Sequence, residues 1–498
     1  MSSYLSGRLV QIIGIVLLLV VARAVYRVLG EPTAHVPGPW YSNWTSLVLD
    51  FHFLSGAKAS YVHALHQKYG PVVRIGPNEV DITDIEAVKA IYGIKEVFRK
   101  SQFYRRITAP GQEAMFTTID VDFHRRHRRL LAGPMSESSL KSLIPTINSR
   151  VELAVDKISA EIKALGYADV SKWWLFMATD VIGELTFGDS FRMLELGRKN
   201  DYAHALEEIG RVGAIRTTFP YLTRLSGTLP FPLPIFKRAV QSSRNIARYA
   251  SESLERYRRL VAASPDLVQQ TLFTKVFQAK DEDKLTFNEM RDEAQSYIIA
   301  GSDTTANSLT YLTWSVCRNP GIREALVKEL RTLPEPYTES QLRELPFLNH
   351  VIDETLRLYA AAPGVLPRSV PPGGAQLAGY WFKEGDVVSA QAYSMHRDPV
   401  IFPDPDEFIP SRWAEPTKLM KDSYMPFGRG PRALADSSPV CIGLHLAQIE
   451  LRLATARFFL AFPEARMSSL EGMSDDDMKP RIYFLMVPSG GRCLIQAA

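Results

Sequence analysis

Apolar and polar positions follow three rhythms along this chain, and each predicts a different kind of element. Residues 9–29 read LVQIIGIVLLLVVARAVYRVL, apolar except for Gln11, Arg23 and Arg27. Twenty or so helical residues, each rising about 1.5 Å, cross a hydrocarbon layer of about 30 Å. Arg23 and Arg27 can snorkel to one interface and set that end on the cytoplasmic side. A cleaved signal peptide is the alternative, but the n-region carries only Arg8 and no small-residue cleavage site follows cleanly. Pro32 and the run Pro37-Gly38-Pro39 then stop the helix and stiffen a hinge.

Beyond the hinge, residues 151–165 and 245–263 place apolar side chains at three-to-four spacing, which predicts amphipathic helices. Residues 373–392 break that rhythm. Glycines punctuate short β-prone runs there, predicting small antiparallel strands. The clearest helix begins at Thr286, where Thr286-Phe287-Asn288-Glu289 fits a capping box, and runs to Cys317 and Arg318 before Pro320 ends it. At some thirty residues it spans about 45 Å, enough to cross a domain. The expected architecture is mostly α with a minor β portion: an anchor over 1–30, a hinge over 31–40 and one large unit over 41–498.

Composition narrows the function. A formal charge of +4 on 498 residues does not indicate a general nucleic-acid binder. Three widely spaced cysteines, Cys317, Cys441 and Cys493, make no disulfide framework and point to a reducing compartment. The basic residues cluster once, from His124 to Arg129, as a solvated face, an anion site or a docking surface for an acidic partner.

Inside the long helix stands Ala300-Gly301-Ser302-Asp303-Thr304-Thr305. A mid-helix glycine costs about 1 kcal/mol relative to alanine, so Gly301 needs a reason. Close approach of a flat ligand is one reason and a local break in the backbone ladder where a water inserts is another; the plainer reading of the hexapeptide is a polar patch at a helix–helix contact. Glu354 and Arg357 stand at i, i+3, and Arg412 offers a third charge for a buried ion network. Near the C-terminus, Pro426-Phe427-Gly428-Arg429-Gly430-Pro431-Arg432 precedes Cys441, after which a helical pattern runs to Phe459. A cysteine at the positive end of a helix favours thiolate, either as nucleophile or as soft-metal ligand.

Together these segments resemble the cytochrome P-450 family, in its fungal microsomal style, often of secondary metabolism. The patterns Ala-Gly-x-Asp-Thr-Thr, Glu-x-x-Arg and Phe-x-x-Gly-x-Arg, then Cys-x-Gly and Ala-x-x-Glu, stand in family order across nearly the whole chain. The resemblance implies a haem-thiolate monooxygenase with haem b, bound to iron by Cys441. It implies that Asp303 and Thr304 relay protons to bound oxygen, and that Ala300 and Gly301 let the porphyrin pass. Arg432, Arg368, His124 and Arg128 would meet the haem propionates, with Phe427 in the haem loop. Glu354, Arg357 and Arg412 would form the structural network behind the haem. Arg125, Arg126 and Arg129 would face an acidic NADPH-cytochrome P-450 reductase. The substrate would be a lipophilic small molecule oxidised with O2 at the endoplasmic reticulum membrane, in a pocket built from residues 114–119, 218–236 and 360–366.

One departure stands out. The family's cysteine follows the loop arginine by two residues, whereas here residues 434–440 intervene between Ala433 and Cys441. An unremoved splice segment is the preferred account; a genuine bulge on the reductase-facing side is the other. Two rival functions follow: a relative whose haem binding is spoiled by this insertion, and a haem-thiolate isomerase or dehydratase.

Overall fold

The computed structural model describes every residue except 1–10, 13, 17, 24, 27–29, 94–96, 200, 227–233, 264–270, 280–282, 430–439 and 498. The helices that matter for the site are α1 (Val121–Leu131), α2 (Ile144–Leu165), α3 (Val170–Phe187), α4 (Asp201–Thr218), α5 (Phe287–Cys317), α6 (Pro346–Leu358) and α7 (Leu444–Ala461). The mostly helical reading with a minor β part holds. Helix α5 starts where its capping box predicts: Thr286 Oγ1 accepts from Glu289 N–H at 3.2 Å, and Thr286 N–H donates to the Glu289 carboxylate at 2.7 Å.

The core is a helix stack. Helices α2, α3, α5 and α7 pack on one another, with α6 against α5 and α7. Helix α3 is buried on nearly all sides, as its run Trp173 to Ile182 requires, and it makes the most extensive helix contact of the fold, with α5. A single apolar cluster joins Trp174, Phe176, Leu309, Phe458 and their neighbours.

Five short strands form the main sheet: β1 (Val72–Gly76), β2 (Glu79–Ile82), β3 (Arg99–Lys100), β4 (Arg368–Ser369) and β5 (Val387–Ser389), in the order β1-β2-β5-β4-β3. The glycine-punctuated segment supplies an antiparallel hairpin, Ala375–Leu377 with Tyr380–Phe382, whose turn uses Gly379 at φ +84°. It also supplies β5, which pairs antiparallel with β4 as expected and parallel with β2 on its other edge. In the β3–β4 pair Lys100 stands directly across from Arg368.

The described positions between Gln11 and Tyr26 are helical and exposed, with Leu18 at 70%. No helix among the described residues is long and apolar enough to cross a membrane.

Candidate active site

A cavity of about 920 Å³ lies among α1, α5, the loop that precedes α1 and the loop that carries Cys441. Its walls are mainly apolar, and residues 114–119 line it as expected, together with Ala361, Ala362 and Leu366. Among the described residues of the expected segment 218–236 none lines it; residues 227–233 lie outside the described set, and α4 contributes positions 208–211. Gly213 brings α4 down onto this region, because a β-carbon there would come within 2.9 Å of Ile107.

Cys441 is on the wall. Its N–H donates to the Phe427 carbonyl at 3.0 Å, which ties the two halves of the loop together, and the Gly443 N–H donates to its sulfur. Cys441 is exposed and lines the cavity, yet desolvation is the largest influence on its thiol and pushes it up, against the smaller opposing effects of the Gly443 N–H and Arg128. Burial thus opposes the preference for thiolate expected at the helix start. A coordinated metal reverses that balance, since a coordinating thiol is deprotonated outright.

Helix α5 presents Ala300, Gly301, Asp303 and Thr304 to the same cavity. The Thr304 hydroxyl donates to the Ala300 carbonyl one turn back at 2.6 Å, and the Asn307 amide donates to the Asp303 carbonyl at 2.8 Å. Asp303 is 9% exposed. Gly301 lines the cavity and also has a second reason to be small. A β-carbon on it would stand 2.6 Å from Cγ1 and 2.9 Å from Cβ of Ile182, so its small size serves the α3–α5 contact.

The cations gather on one flank. Arg368 donates to the Tyr104 hydroxyl at 2.8 Å and lies over the rings of Tyr92 and Tyr104, 5.1 and 5.4 Å from their centroids. Arg128 reaches the Val440 carbonyl at 3.3 Å. Lys100, absent from the motif reading, donates to the Met115 and Phe116 carbonyls at 2.9 and 2.8 Å. His124 registers all three: burial first, then Lys100, Arg128 and Arg368, push its pKa down to about 3. Its imidazole is neutral at pH 7, in a field that favours an anion. No sequence pattern marks Lys100; only the β3–β4 register brings it to Arg368.

The other arginines of α1 are already paired. Arg125 binds Asp122 at 2.9 Å, Arg126 binds Glu289 and Arg129 binds Asp283. Each of the three thus has an acidic partner within the chain while staying partly exposed.

Behind the site, Glu354 accepts from Arg357 Nε and Nη2 at 2.9 Å each, from Arg412 Nε at 3.0 Å, and from the Trp413 indole and the Ile409 N–H at 2.9 Å each. A second buried carboxyl was visible in the sequence only as part of a pattern. Glu450 on α7 hydrogen-bonds Thr305 on the cavity wall, and burial pushes its pKa up to about 8. Arg432, and residues 434–439 of the extra segment, lie outside the described residues.

These residues fit an iron porphyrin: a sulfur on the wall of a large, mostly apolar cavity, with cations along one flank for two carboxylates. The class so defined is a haem-thiolate protein. The sequence matches the cytochrome P-450 family profile over residues 35–494. It is 48% identical over 495 residues to the cytochrome P-450 monooxygenase tazI of Aspergillus terreus, covering 99% of each chain. To the cytochrome P-450 monooxygenase orf2 of Aspergillus niger it is 41% identical over 498 residues, again 99% of each. To stcB of Emericella nidulans, of the same description, it is 33% identical over 473 residues, 93% of this chain and 88% of the other. The chain belongs to the cytochrome P-450 family: it is an oxidoreductase of the monooxygenase type, and its cofactor is haem b.

Proposed function

We propose that this enzyme inserts one oxygen atom into a C–H or C=C bond of a lipophilic small molecule in a fungal secondary-metabolite pathway. The observation that carries the reading is the meeting of Cys441, the Asp303–Thr304 pair and a cationic flank around one apolar cavity. Bound haem supplies oxygen activation, with the proximal thiolate pushing electron density toward O–O cleavage. The chain's own part is positional. Cys441 holds the iron, and Arg128, Arg368, Lys100 and His124 hold the propionates, together with Arg432. Thr304 and Asp303 hand protons inward along α5, and Phe427 braces the Cys441 loop through its carbonyl.

Residues 1–30 act as a single membrane anchor at the endoplasmic reticulum, 31–40 as a hinge and 41–498 as the cytosolic catalytic body, with electrons from NADPH through a separate reductase. The exposed side chains of Trp40 and Phe51 near the hinge, and of Tyr221 and Leu222 after α4, support contact with a bilayer. Helix Leu47–Leu54, which carries Phe51, packs against α4, so the two groups belong to neighbouring elements.

The test is the reduced, carbon-monoxide-bound spectrum of the purified chain. A red-shifted Soret band that Cys441→Ser abolishes supports the reading. A second reading, a relative with impaired haem binding, draws on the extra residues 434–440. It is favoured if the full chain takes up no haem while a variant lacking those residues does.

A further inference from the structure

Gln295 on α5 is 5% exposed, lines the cavity, and its Nε2 has no hydrogen-bond partner among the described residues. Its Oε1 is occupied, accepting from the Gln112 amide of the loop before α1. A buried amide donor left unmade is costly, and a protein that keeps one at a ligand cavity has a use for it when the ligand is present. Replacement by an apolar side chain of similar size would remove the cost, so the amide itself is what the site retains.

Its place on the helix sets the geometry. Gln295, Ile299 and Asp303 follow one another at i, i+4 and i+8, and with Ala300 and Thr304 they form the stripe of α5 that faces the cavity. Gln295 and Thr304 are nine positions apart, about 13.5 Å along the axis at a rise of about 1.5 Å per residue. Between them α5 lines the cavity with Ile299, Ala300 and Gly301, together with Ser296, Tyr297 and Asp303, and Phe116 of the loop also lines it. Gln295 thus offers an unmade hydrogen-bond donor to a mostly apolar cavity, about two and a half helical turns from Thr304.

Building on the monooxygenase reading, we propose that Gln295 is the polar anchor of the substrate. Its amide N–H donates to a carbonyl oxygen at one end of an elongated lipophilic molecule, whose oxidised carbon lies near Thr304. Gln112 holds the amide in that orientation by occupying Oε1, so only the donor is offered. The substrate class is therefore a long apolar ketone, aldehyde or ester, and not a plain hydrocarbon.

The test compares undecan-2-one with undecane on the full-length haem-loaded protein in detergent, by Soret-shift titration and by equilibrium dialysis. Gln295→Leu and Gln295→Met should each weaken ketone binding by roughly three- to tenfold in Kd, the range of one neutral hydrogen bond. Undecane binding should stay within about twofold or tighten, since the variant wall is more apolar. The carbon-monoxide spectrum verifies each variant's fold, and the methionine variant, closer in shape to glutamine, decides if the leucine variant is unstable. Equal ketone-over-alkane preference in wild type and both variants overturns the assignment. Absence of a haem spectrum in the wild type counts against the monooxygenase reading instead, while dialysis still reads the effect of Gln295.

Discussion

Removing the guanidinium of Arg357 is the sharpest test of how this fold is held together. Glu354 is 0% and Arg357 1% exposed, and the pair is bidentate. Arg357 also donates to three backbone carbonyls: His396 at 2.7 Å, Pro405 at 2.6 Å and Glu407 at 3.0 Å. Arg357→Ala leaves a dry carboxylate with Arg412 as its single remaining cation and orphans those carbonyls. Breaking a buried pair from one side costs about 3–5 kcal/mol. The exposed Arg125–Asp122 pair on α1, at a similar distance of 2.9 Å, is worth below about 0.5 kcal/mol. The double variant Glu354→Leu/Arg357→Leu should cost less than the sum of its single variants, because it removes both charges together. The assay is urea unfolding followed by tryptophan fluorescence, with haem release recorded in parallel because a cofactor-bound protein need not unfold in two states. If Arg357→Ala shifts the midpoint no more than Arg125→Ala, the dry-interior argument fails.

Three further outcomes follow. Gly301→Ala should lose about 1–3 kcal/mol through overpacking against Ile182, and Gly301→Ala/Ile182→Ala should cost less than the two singles combined; strict additivity in thermal melts would refute the contact. The Glu450 carboxyl, raised from 4.5 to about 8, contributes stability below pH 4.5 that is lost as pH climbs through 8, about 5 kcal/mol as an upper bound. Glu450→Gln should therefore flatten the stability profile between about pH 4.5 and pH 8, the span of that titration, and an unchanged slope would show that another group titrates there. Lys100→Ala should speed haem transfer to a scavenging globin about tenfold or more, the scale of one charge-assisted hydrogen bond, with Lys100→Arg close to wild type. Equal transfer rates for wild type and Lys100→Ala would remove Lys100 from the propionate set.

What could be read along the chain was local. The capping box at Thr286 and Glu289 names its own helix start, because both partners lie within one turn. The Glu354–Arg357 spacing already put an acid and a base on one helical face, although only the fold shows that the face is dry. The basic run on α1 was equally legible, yet its partners were not. Glu289 and Asp283, far along the chain, return to α1 and pair with Arg126 and Arg129. Gly301 was singled out by its cost in a helix, but one reason for it, the side chain of Ile182, sits on another helix.

By itself the sequence determined the mostly helical class, the ends of the long helix and the order of the motifs, since propensity, periodicity and capping act over a few residues. Tertiary structure alone decided which groups share a dielectric and a cavity. Strand register set Lys100 beside Arg368, burial raised the Cys441 thiol and the Glu450 carboxyl, and a loop and a helix met at Gln112 and Gln295. Charge and protonation depend on neighbours brought in from far along the chain, and no local pattern encodes that distance.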